Sequence, residues 1–548
     1  MILKRLFFGL NSQAKSISSA ALIIGTAGLA AKILGVFRDR VLAGQFGAGS
    51  TLDMYYASFR IPDLVFNLIV LGALSAGFIP IFCEHMKKGE KEAWELVNYV
   101  LNLLILALVS LSVLLVIFAP FFMRLISPGF TAQEVRTSAE LTRIMFLSPI
   151  FLGLSAVFGG VLQSMKRFFV YSLAPILYNV GIIIGAVFLT EEFGVHGLAW
   201  GVVLGAFMHL IVQLAASIAL GFRYRPIFSV RHKGLRDLVR MMVPRTLSLA
   251  VAQLNLLVVV IIGSTLQDGS IAIFNFAFNL QSVPLGLFAI SLAIASFPAL
   301  SEAAGDAKEF IKTVSITMRQ ILFFMIPVSL LLIILRAQIV RSVFGSGRFD
   351  WEDTILTMNT LGIFSISLFA QGLIPLLSRA YFAQKDSRTP FFIGLTAAGV
   401  NIVLSIVFVD KFDHIAFLFT GQGIVAPILG LTLAYTLSNI IWLLLLWIIL
   451  RVRLHEMEEM TTFYSVVKIA FASLCMGISV QALKYAIEPY FGTRTFTGIA
   501  LQGTIAASVG IAVYLGVCYL VKSPEVNIFF SSFKRRFLKR FTPSETVE

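Results

Sequence analysis

Long apolar segments recur along the whole chain and leave few folds open to it. Dividing the sequence at its charged and Gly/Pro-rich breaks gives fourteen segments that are mostly apolar. Each is long enough to cross about 30 Å of hydrocarbon as a helix, which takes about 20 residues. None alternates with the two-residue period of a barrel strand. We therefore predict an all-α, polytopic membrane protein with about fourteen transmembrane helices. The predicted spans are 17–43, 52–84, 93–126, 137–164, 169–190, 196–221, 235–265, 271–301, 310–345, 353–383, 389–409, 422–450, 462–486 and 496–521.

The composition excludes a soluble enzyme and a disordered chain. Hydrophobic residues make up 58% of the sequence and charged residues 13%, against about 45–50% and about 25% in soluble domains. With the N-terminus placed in the cytoplasm, the inner loops and helix ends carry 28 of the 43 Lys and Arg residues and the outer ones 11. Because basic residues are enriched on the cytoplasmic side, both termini are predicted to be cytoplasmic. The net charge of +14 is then a signal of orientation, and nucleic acid is not an expected partner.

Two short patterns recur at a spacing near 220 residues. Phe78–Glu84 ends the second span and Phe297–Glu302 ends the eighth, with the same Pro–Glu spacing and an offset of 218 residues. Asn179 and Asn401 lie in the fifth and eleventh spans, at an offset of 222 residues. These offsets predict two six-helix lobes of the same orientation. The predicted organisation is an N-terminal lobe (17–221), a basic cytoplasmic linker (222–234), a C-terminal lobe (235–450), two additional helices (462–521) and a basic cytoplasmic tail (522–548).

Several charged residues lie within or beside the predicted spans, where a charge costs a few kcal/mol. Asp53 and Arg60 are seven residues apart and share one helical face, and Pro62 predicts a kink beside them. Charges that persist in a membrane usually face a cavity or a partner, so we predict a wet cavity that accepts an anionic group. The candidates are the cations Lys32, Arg38, Arg60 and Arg245 and the carboxylates Asp39 and Asp53.

Two alternatives remain open for these charges. Asp53–Arg60 and Lys32–Asp39 are also suitably spaced to be structural ion pairs, and Lys32 is long enough to extend its ammonium group to the interface. Arg245 lies near the inner end of the seventh span. It is equally well placed to line the cavity or to extend its guanidinium group to the membrane interface.

No motif predicts catalysis, a cofactor or a metal. The sequence has no G-x-x-x-x-G-K-[ST] loop for ATP, no Ser/His/Asp or His/Glu cluster arranged for hydrolysis, and no C-x-x-C pair. The segment Phe529–Phe541 interleaves aromatic residues with five cations, a pattern typical of an interfacial helix on the anionic inner leaflet. We therefore predict a non-enzymatic protein with anionic lipids as partners of its tail; RNA is the weaker alternative for that segment.

Four stretches resemble one family of transporters. They are Ala31–Gly49, Asp53–Pro80, Phe344–Phe349 and Ala380–Pro390. Together they are similar, in order along the chain, to the MviN/MurJ-type lipid II flippases of the multidrug/oligosaccharidyl-lipid/polysaccharide exporter superfamily. The resemblance implies fourteen helices in two lobes and transport of lipid-linked peptidoglycan precursor from the inner to the outer leaflet of the bacterial cytoplasmic membrane. The implied mechanism is alternating access without ATP, driven by the membrane potential or an ion gradient.

The resemblance also suggests roles for individual residues. In the family a cationic cavity between the lobes receives the pyrophosphate head, and a groove of the last two helices takes the polyprenyl tail. Arg38 matches a family arginine, and Lys32 stands where arginine is usual. Asp53 matches a family aspartate and Arg60 a basic position. Lipid II and the cell-wall synthesis machinery are the implied partners.

The sequence departs from the family at two cationic positions. Phe66 stands where the family has an arginine on the second span, and Leu71 replaces a carboxylate nearby. In the eighth span, Phe278 and Asn279 replace an Asp–Arg pair. These departures leave two alternatives open: an exporter of another polyprenyl-linked glycan or of a small molecule, and a non-transporting membrane partner with a diverged cavity.

Overall fold

The computed structural model describes residues 17–228, 253–411, 426–491 and 495–526. Within these ranges the chain forms helices and no strand, which confirms the predicted all-α class. The helices are α1 (Ile17–Phe46), α2 (Ser50–Val65), α3 (Gly72–Lys88), α4 (Glu90–Ile117), α5 (Ala119–Ile126), α6 (Ala132–Met145), α7 (Leu147–Ser164), α8 (Phe168–Ile184), α9 (Thr190–Phe193), α10 (His196–Ala219), α11 (Gln253–Gly263), α12 (Ser270–Pro284), α13 (Ser291–Glu302), α14 (Ala307–Ile334), α15 (Arg336–Phe344), α16 (Trp351–Ile366), α17 (Leu368–Ala383), α18 (Arg388–Asp410), α19 (Pro427–Leu454), α20 (Glu459–Phe491) and α21 (Phe496–Leu520).

Many of these helices are long and apolar enough to cross a membrane. Ten helical segments within the described ranges meet this condition, and the pair α16–α17, bent by 46°, makes an eleventh. They coincide with eleven of the predicted spans. Three predicted spans remain. The span 17–43 falls in the continuous helix α1, and the span 52–84 is divided between α2 and α3. The span 235–265 lies mostly outside the described residues. The chain is a multi-pass membrane protein, and the total of fourteen spans stays a prediction.

The chain divides into two compact units. The first comprises residues up to Phe276 together with Val343–Asp353, and the second comprises Ala277–Ser342 and the residues from Thr354 onward. The first unit therefore includes two short segments that follow the predicted linker in sequence. The assignment of two six-helix lobes concerns the internal repeat and stays a prediction.

Aromatic and glycine contacts hold the first unit together. Phe78 and Phe82 are fully buried among α4, α7 and α10. The backbones of α8 and α10 meet at two glycine pairs, and a Cβ added to Gly181 would lie 2.3 Å from the Cα of Gly205. Such small-residue contacts allow helices to pack closely where lipid gives no hydrophobic driving force between them.

Tyrosine hydroxyls tie helices together in the second unit. Tyr381 on α17 donates to the carbonyl oxygen of Leu446 on α19 at 2.8 Å. Tyr514 on α21 donates to the carbonyl oxygen of Phe323 on α14 at 2.7 Å. These bonds satisfy buried hydroxyl groups, which would otherwise be costly in an apolar interior.

Some backbone features recur at a spacing close to that of the two sequence patterns, although a further π turn, at Gly185–Leu189, belongs to no such pair among the described residues. Wide turns of π type interrupt the second and eighth predicted spans at Phe66–Leu71 and Leu285–Ile290, whose first residues are 219 positions apart. Lys166 and Lys385, also 219 positions apart, both adopt left-handed conformations, with φ of 60° and 61°. In each case the next residue donates its N–H to the carbonyl oxygen five residues earlier, at 2.7 Å from Arg167 and 3.0 Å from Asp386.

The start of the predicted linker is fixed by two asparagines on α4. The side-chain amide of Asn98 donates to the carbonyl oxygen of Arg223, and its oxygen accepts from the N–H of Arg225. The amide of Asn102 donates to the carbonyl oxygens of Arg225 and Ile227. Residues 229–252, including Arg245, lie outside the described residues, as does the tail from residue 527.

Asp386 caps α18 and pairs with α19. Its carboxylate accepts from the N–H groups of Arg388 and Thr389 and from the Thr389 hydroxyl, and it pairs with Arg453 at 2.8 Å. Burial by itself raises the pKa of this carboxyl, but the hydrogen bonds from Thr389 and Arg453 prevail and hold its pKa at about 2.

We expect Asp386→Ala to lower the free energy of unfolding at neutral pH by about 1–2 kcal/mol, the range for loss of a helix cap. In the unfolded chain the pKa is about 3.9, so the native carboxylate stabilises the fold above about pH 4 and this contribution is lost as the pH falls towards 2. Unfolding of the purified protein at several pH values measures the difference from Asp386→Ala, which should shrink on acidification. A pH-independent difference would contradict the ionic role, and Asp306→Ala, which removes an N-cap of α14, is the matched control.

Candidate functional site

Arg38 and Asp39 form a buried ion pair on α1. The Nε and Nη2 atoms of Arg38 lie 2.9 and 2.6 Å from Oδ1 of Asp39, whose side chain is 2% exposed. The Nη1 atom of Arg38 donates to Oδ1 of Asn179 on α8 at 3.1 Å. Asn179 is in turn held by the carbonyl oxygen of Pro175. The guanidinium is therefore fixed in orientation, and two of its five N–H donors remain for other partners.

Arg60 on α2 has weaker constraints and more free donors. Its Nη2 donates to Oδ1 of Asn275 on α12 at 2.9 Å, while its Nε is buried with no hydrogen-bond partner among the described residues. The buried hydroxyl of Tyr56, one turn earlier, is likewise without such a partner. Since buried polar groups are nearly always hydrogen-bonded, these two atoms mark a place where water or a polar ligand can bind.

Asp53 binds backbone amides and forms no ion pair within the part of the chain that the structure describes. Its Oδ2 accepts from the N–H of Gly269 at 2.7 Å, and its Oδ1 accepts from the N–H of Ala272 at 2.8 Å. Both amides lie at the start of α12, where N–H groups lack partners within the helix and the helix dipole favours a negative charge. Asp53 thereby anchors the start of α12 to α2.

The predicted site residues are only partly brought into contact. The ion pairs of the described residues include Arg38–Asp39 but neither Asp53–Arg60 nor Lys32–Asp39. Lys32 is exposed on α1, six residues before Arg38. Arg245 lies outside the described residues. The assignment of these groups to a cavity stays a prediction.

Two close backbone contacts at the end of α1 and just beyond it leave no room for a Cβ atom. Gly347 has a φ of +60°, and a Cβ there would lie 2.0 Å from the carbonyl oxygen of Gly44 at the end of α1. The N–H of the next residue, Arg348, donates to that same oxygen at 2.8 Å. Gly269 has a φ of +87°, and a Cβ there would lie 1.8 Å from the carbonyl oxygen of Ala48. Both backbone pairs are in direct contact beside the Asp53 anchor.

Two of the positions that depart from the family, Phe66 and Phe278, carry aromatic rings. Phe66 lines a small cavity that Asp63 also lines. Phe278 packs edge-on against Phe364 and Tyr435, with ring centroids 6.1 and 6.0 Å away. An arginine is therefore replaced at position 66 by a side chain that cannot pair with the nearby carboxyl group.

Two functional contacts were missed by sequence reasoning. Asn179 was singled out as a marker of the repeat but not as a partner of Arg38. Asn275 carries no motif, and only its contact with Arg60 identifies it. The amides that bind Asp53 belong to the backbone and leave no signal in the side chains.

Comparison with known proteins decides the family. The family model described as "Lipid II flippase MurJ" matches residues 42–501 of the chain. The chain belongs to the MurJ family. The match includes Asp53, Arg60 and most of both units.

Individual MurJ proteins agree with this assignment. A probable lipid II flippase MurJ of Thermotoga maritima is 30% identical over 500 residues, which cover 90% of this chain and 95% of that protein. The lipid II flippase MurJ of Burkholderia cenocepacia is 30% identical over 70% of this chain and 77% of its own length. A solved structure titled "Lipid II flippase MurJ, inward closed conformation" has a TM-score of 0.73 and 26% identity, and the alignment covers 91% of this chain and 98% of that one.

A more distant structure shares the fold alone. An inward-facing multidrug resistance transporter of the MATE family, in the MOP superfamily, has a TM-score of 0.64 at 14% identity over 78% of this chain and 96% of its own length. The membership of the chain in MurJ rests on sequence, and the likeness to this transporter concerns the fold alone.

Proposed function

We propose that this protein moves lipid II from the inner to the outer leaflet of a bacterial cytoplasmic membrane by alternating access. The relatives named as lipid II flippases support this assignment. The structural observation that carries it is the pair of membrane-embedded arginines, Arg38 and Arg60, whose protein partners leave guanidinium donors unused. A diphosphate head cannot cross hydrocarbon unaided, because burying an uncompensated anion is prohibitively costly.

Each arginine has a distinct part in this proposal. Arg38 is oriented by Asp39 and Asn179 and presents its two remaining donors to a phosphate oxygen. Among the described residues Arg60 has one side-chain partner, Asn275, and it offers its Nε and its other donors. Arginine forks match phosphate geometry in a bidentate manner. Lys32, which is exposed, adds a point charge, and Arg245 is a further candidate.

The carboxylates act on the protein and not on the cargo. Asp39 orients and partly neutralises Arg38, and Asp53 holds the start of α12. With the N-terminus in the cytoplasm, α1 ends on the outer side of the membrane. The contacts of Gly347 and Gly269 with the end of α1 and with Ala48 would then close the outer side, and they have to separate before the head group is released. With no ATP motif in the sequence, the inward-negative membrane potential is the proposed driver, since it favours outward movement of an anion.

Other parts of the chain contact lipid and protein partners in this proposal. The surface of α20 and α21 takes the polyprenyl tail, as in the family. The basic segment Phe529–Phe541 binds anionic lipids of the inner leaflet, and both termini are cytoplasmic. Delivery of lipid II to the outer leaflet places the protein next to the cell-wall synthesis machinery.

Phe66 favours one alternative cargo. An apolar ring stands at position 66, where the family has an arginine, beside Asp63. The proposed transport site would then have one cation fewer than is usual in the family, and another polyprenyl-linked glycan with fewer anionic groups is the second candidate. Lipid II and such a glycan share the lipid and differ in the head group, so transport assays with both separate the two proposals.

Complementation tests the proposed function. Cells depleted of their own flippase should grow when they express this chain, and Arg60→Gln should fail to support growth at equal membrane abundance. Arg136→Gln, which removes an exposed cation paired with Glu140, is the matched control and should support growth. Absence of growth with correctly inserted wild-type protein would contradict lipid II as the cargo.

A further inference from the structure

A cationic pocket lies in the second unit and is formed by residues that the proposed transport site does not use. It has a volume of about 320 Å³ and is lined by Ile333, Ile334, Arg336, Ala337, Met358, Gln481 and Lys484. Two of these residues are cations, and the lining contains no carboxylate. The pocket lies where α14 ends and α15 begins, against α16 and the second half of α20.

The two cations are fixed by the end of α14. Nζ of Lys484 donates to the carbonyl oxygen of Ile334 at 3.0 Å and lies 3.5 Å from Oε1 of Gln481. Nη1 of Arg336 donates to the carbonyl oxygen of Ile333 at 3.1 Å. These carbonyl groups have no partner within the helix, and the negative end of the helix dipole favours nearby cations. The contacts use two donors of Lys484 and one of Arg336.

The backbone of α16 makes room for the arginine. A Cβ added to Gly362 would lie 3.2 Å from Cδ of Arg336, so a larger side chain would press on the arginine stem. On the other side, the side-chain amide of Gln502 on α21 donates to the carbonyl oxygen of Lys484 at 3.1 Å. The position of both cations is therefore set by three helices besides their own.

Arg336 and Lys484 repel each other, and Glu488, which acts on Lys484 from outside the pocket lining, offsets this only in part. An anion between the two cations would remove the remaining repulsion. Among the ion pairs of the described residues, neither Arg336 nor Lys484 takes part. Glu488 lies four residues beyond Lys484 on α20 and is exposed. The unused donors are a guanidinium and an ammonium, the two groups that bind phosphate most often in proteins.

The surroundings indicate that this phosphate is carried by a lipid. Helix α14 is long and apolar enough to span the membrane, and it ends at Ile334, so the pocket lies at the level of a membrane interface. Apolar residues of α20 are exposed along the helix on the way to Lys484, among them Leu474 and Ile478. An acyl chain can lie on this part of α20 while its phosphate reaches the pocket, so such a lipid would share the α20 surface with the polyprenyl tail of the proposed cargo.

We infer that Arg336 and Lys484 form a binding site for a phosphate group carried by a membrane lipid, and none of its residues belongs to the proposed transport site. The site requires no particular cargo of the transporter. If the lipid site were disproved, the proposed transport of lipid II would therefore be unaffected. If the transport proposal were disproved, the lipid site would likewise be unaffected.

Lipid binding to the purified full chain, measured by native mass spectrometry, tests the inference. Three probes are compared: dioleoyl phosphatidic acid, diacylglycerol with the same chains, and inorganic phosphate. Phosphatidic acid should bind, and Arg336→Gln or Lys484→Gln should each weaken binding by about tenfold, as expected for loss of a charge-assisted hydrogen bond. Diacylglycerol should not show this dependence on the two cations.

Two further variants complete the experiment. Lys468→Gln removes a cation from the other end of α20 that contacts the carbonyl oxygen of Lys522, and it should leave affinity unchanged. Ala337→Leu fills the pocket while keeping both charges, so it tests the site should a charge variant fail to fold, and it should also weaken binding. Unchanged binding in Ala337→Leu and the charge variants, or equal loss in Lys468→Gln, would overturn the inference. A different result is that inorganic phosphate binds as tightly as phosphatidic acid and that the same three substitutions weaken its binding. That result would overturn the claim that the phosphate is carried by a lipid and would assign the pocket to a free anion.

Discussion

Arg38→Gln should both destabilise the protein and stop transport, for two separable reasons. The substitution leaves Asp39, which is 1% exposed, without its cation. Breaking a buried pair in this way costs about 3 kcal/mol or more, so the unfolding temperature should fall. Transport of lipid II should fall by about 10- to 100-fold, because a hydrogen bond to a charged group contributes about 1.5–3 kcal/mol.

A double substitution separates the two effects. Asn at position 39 carries no charge, so Arg38→Gln with Asp39→Asn removes the buried ion pair as a whole. Replacing both partners of a buried pair is far less harmful than removing one, so the unfolding temperature should return to near the wild-type value. Transport should remain low, because the donors proposed to bind phosphate are still absent.

Unfolding and transport are measured on the same preparations. Arg136→Gln is the control, because Arg136 is 76% exposed and pairs with Glu140 on the same helix. Recovery of transport in the double variant would show that Arg38 only neutralises Asp39, and it would remove Arg38 from the proposed phosphate site.

Gly347→Ala and Gly269→Ala should open the end of the first unit where α1 finishes. Their added Cβ atoms would lie 2.0 and 1.8 Å from the carbonyl oxygens of Gly44 and Ala48, so the backbones have to move apart. Both positions also have positive φ, which costs about 1–2 kcal/mol for a residue with a Cβ. The closed state is thereby destabilised, and transport should fall because the cycle no longer returns to it.

Thiol labelling measures this opening directly. In a chain whose three native cysteines are replaced with serine, Ser346→Cys places a reporter beside Gly44. Its reaction with a membrane-impermeant maleimide should accelerate by about tenfold or more in either alanine variant, as a population shift of this free energy requires. Gly49→Ala is the matched control, since a Cβ there meets nothing within 4 Å. Equal labelling in all variants would contradict the closing role of these contacts.

The helical architecture was predictable because lipid imposes a strong constraint on sequence. A chain that spans hydrocarbon must satisfy its backbone hydrogen bonds internally, and eleven of the predicted spans coincide with apolar helices of the described residues. The interruption of the second span at Phe66–Leu71 was not predicted. The sequence does predict a kink at Pro62, but a π turn depends on packing that side-chain periodicity does not encode.

The candidate site was predictable only in its charges. Lys32, Arg38, Asp39, Asp53 and Arg60 were identified because ions are rare in membrane spans. Their partners depend on contacts between residues far apart in sequence, such as Arg38 with Asn179, 141 positions away. Asp53 has backbone amides as partners, which any sequence supplies, and no pattern of side chains could have indicated them.

Translocation of lipid II by the purified protein tests the central claim most directly. Vesicles containing labelled lipid II and the reconstituted wild-type chain, with an applied membrane potential, should show head groups transferred across the bilayer, measured by their accessibility to an impermeant enzyme or quencher. Arg60→Gln should reduce the rate by about tenfold or more, and Arg136→Gln should leave it unchanged. The same rate in protein-free vesicles, or in wild type and Arg60→Gln, would contradict the account.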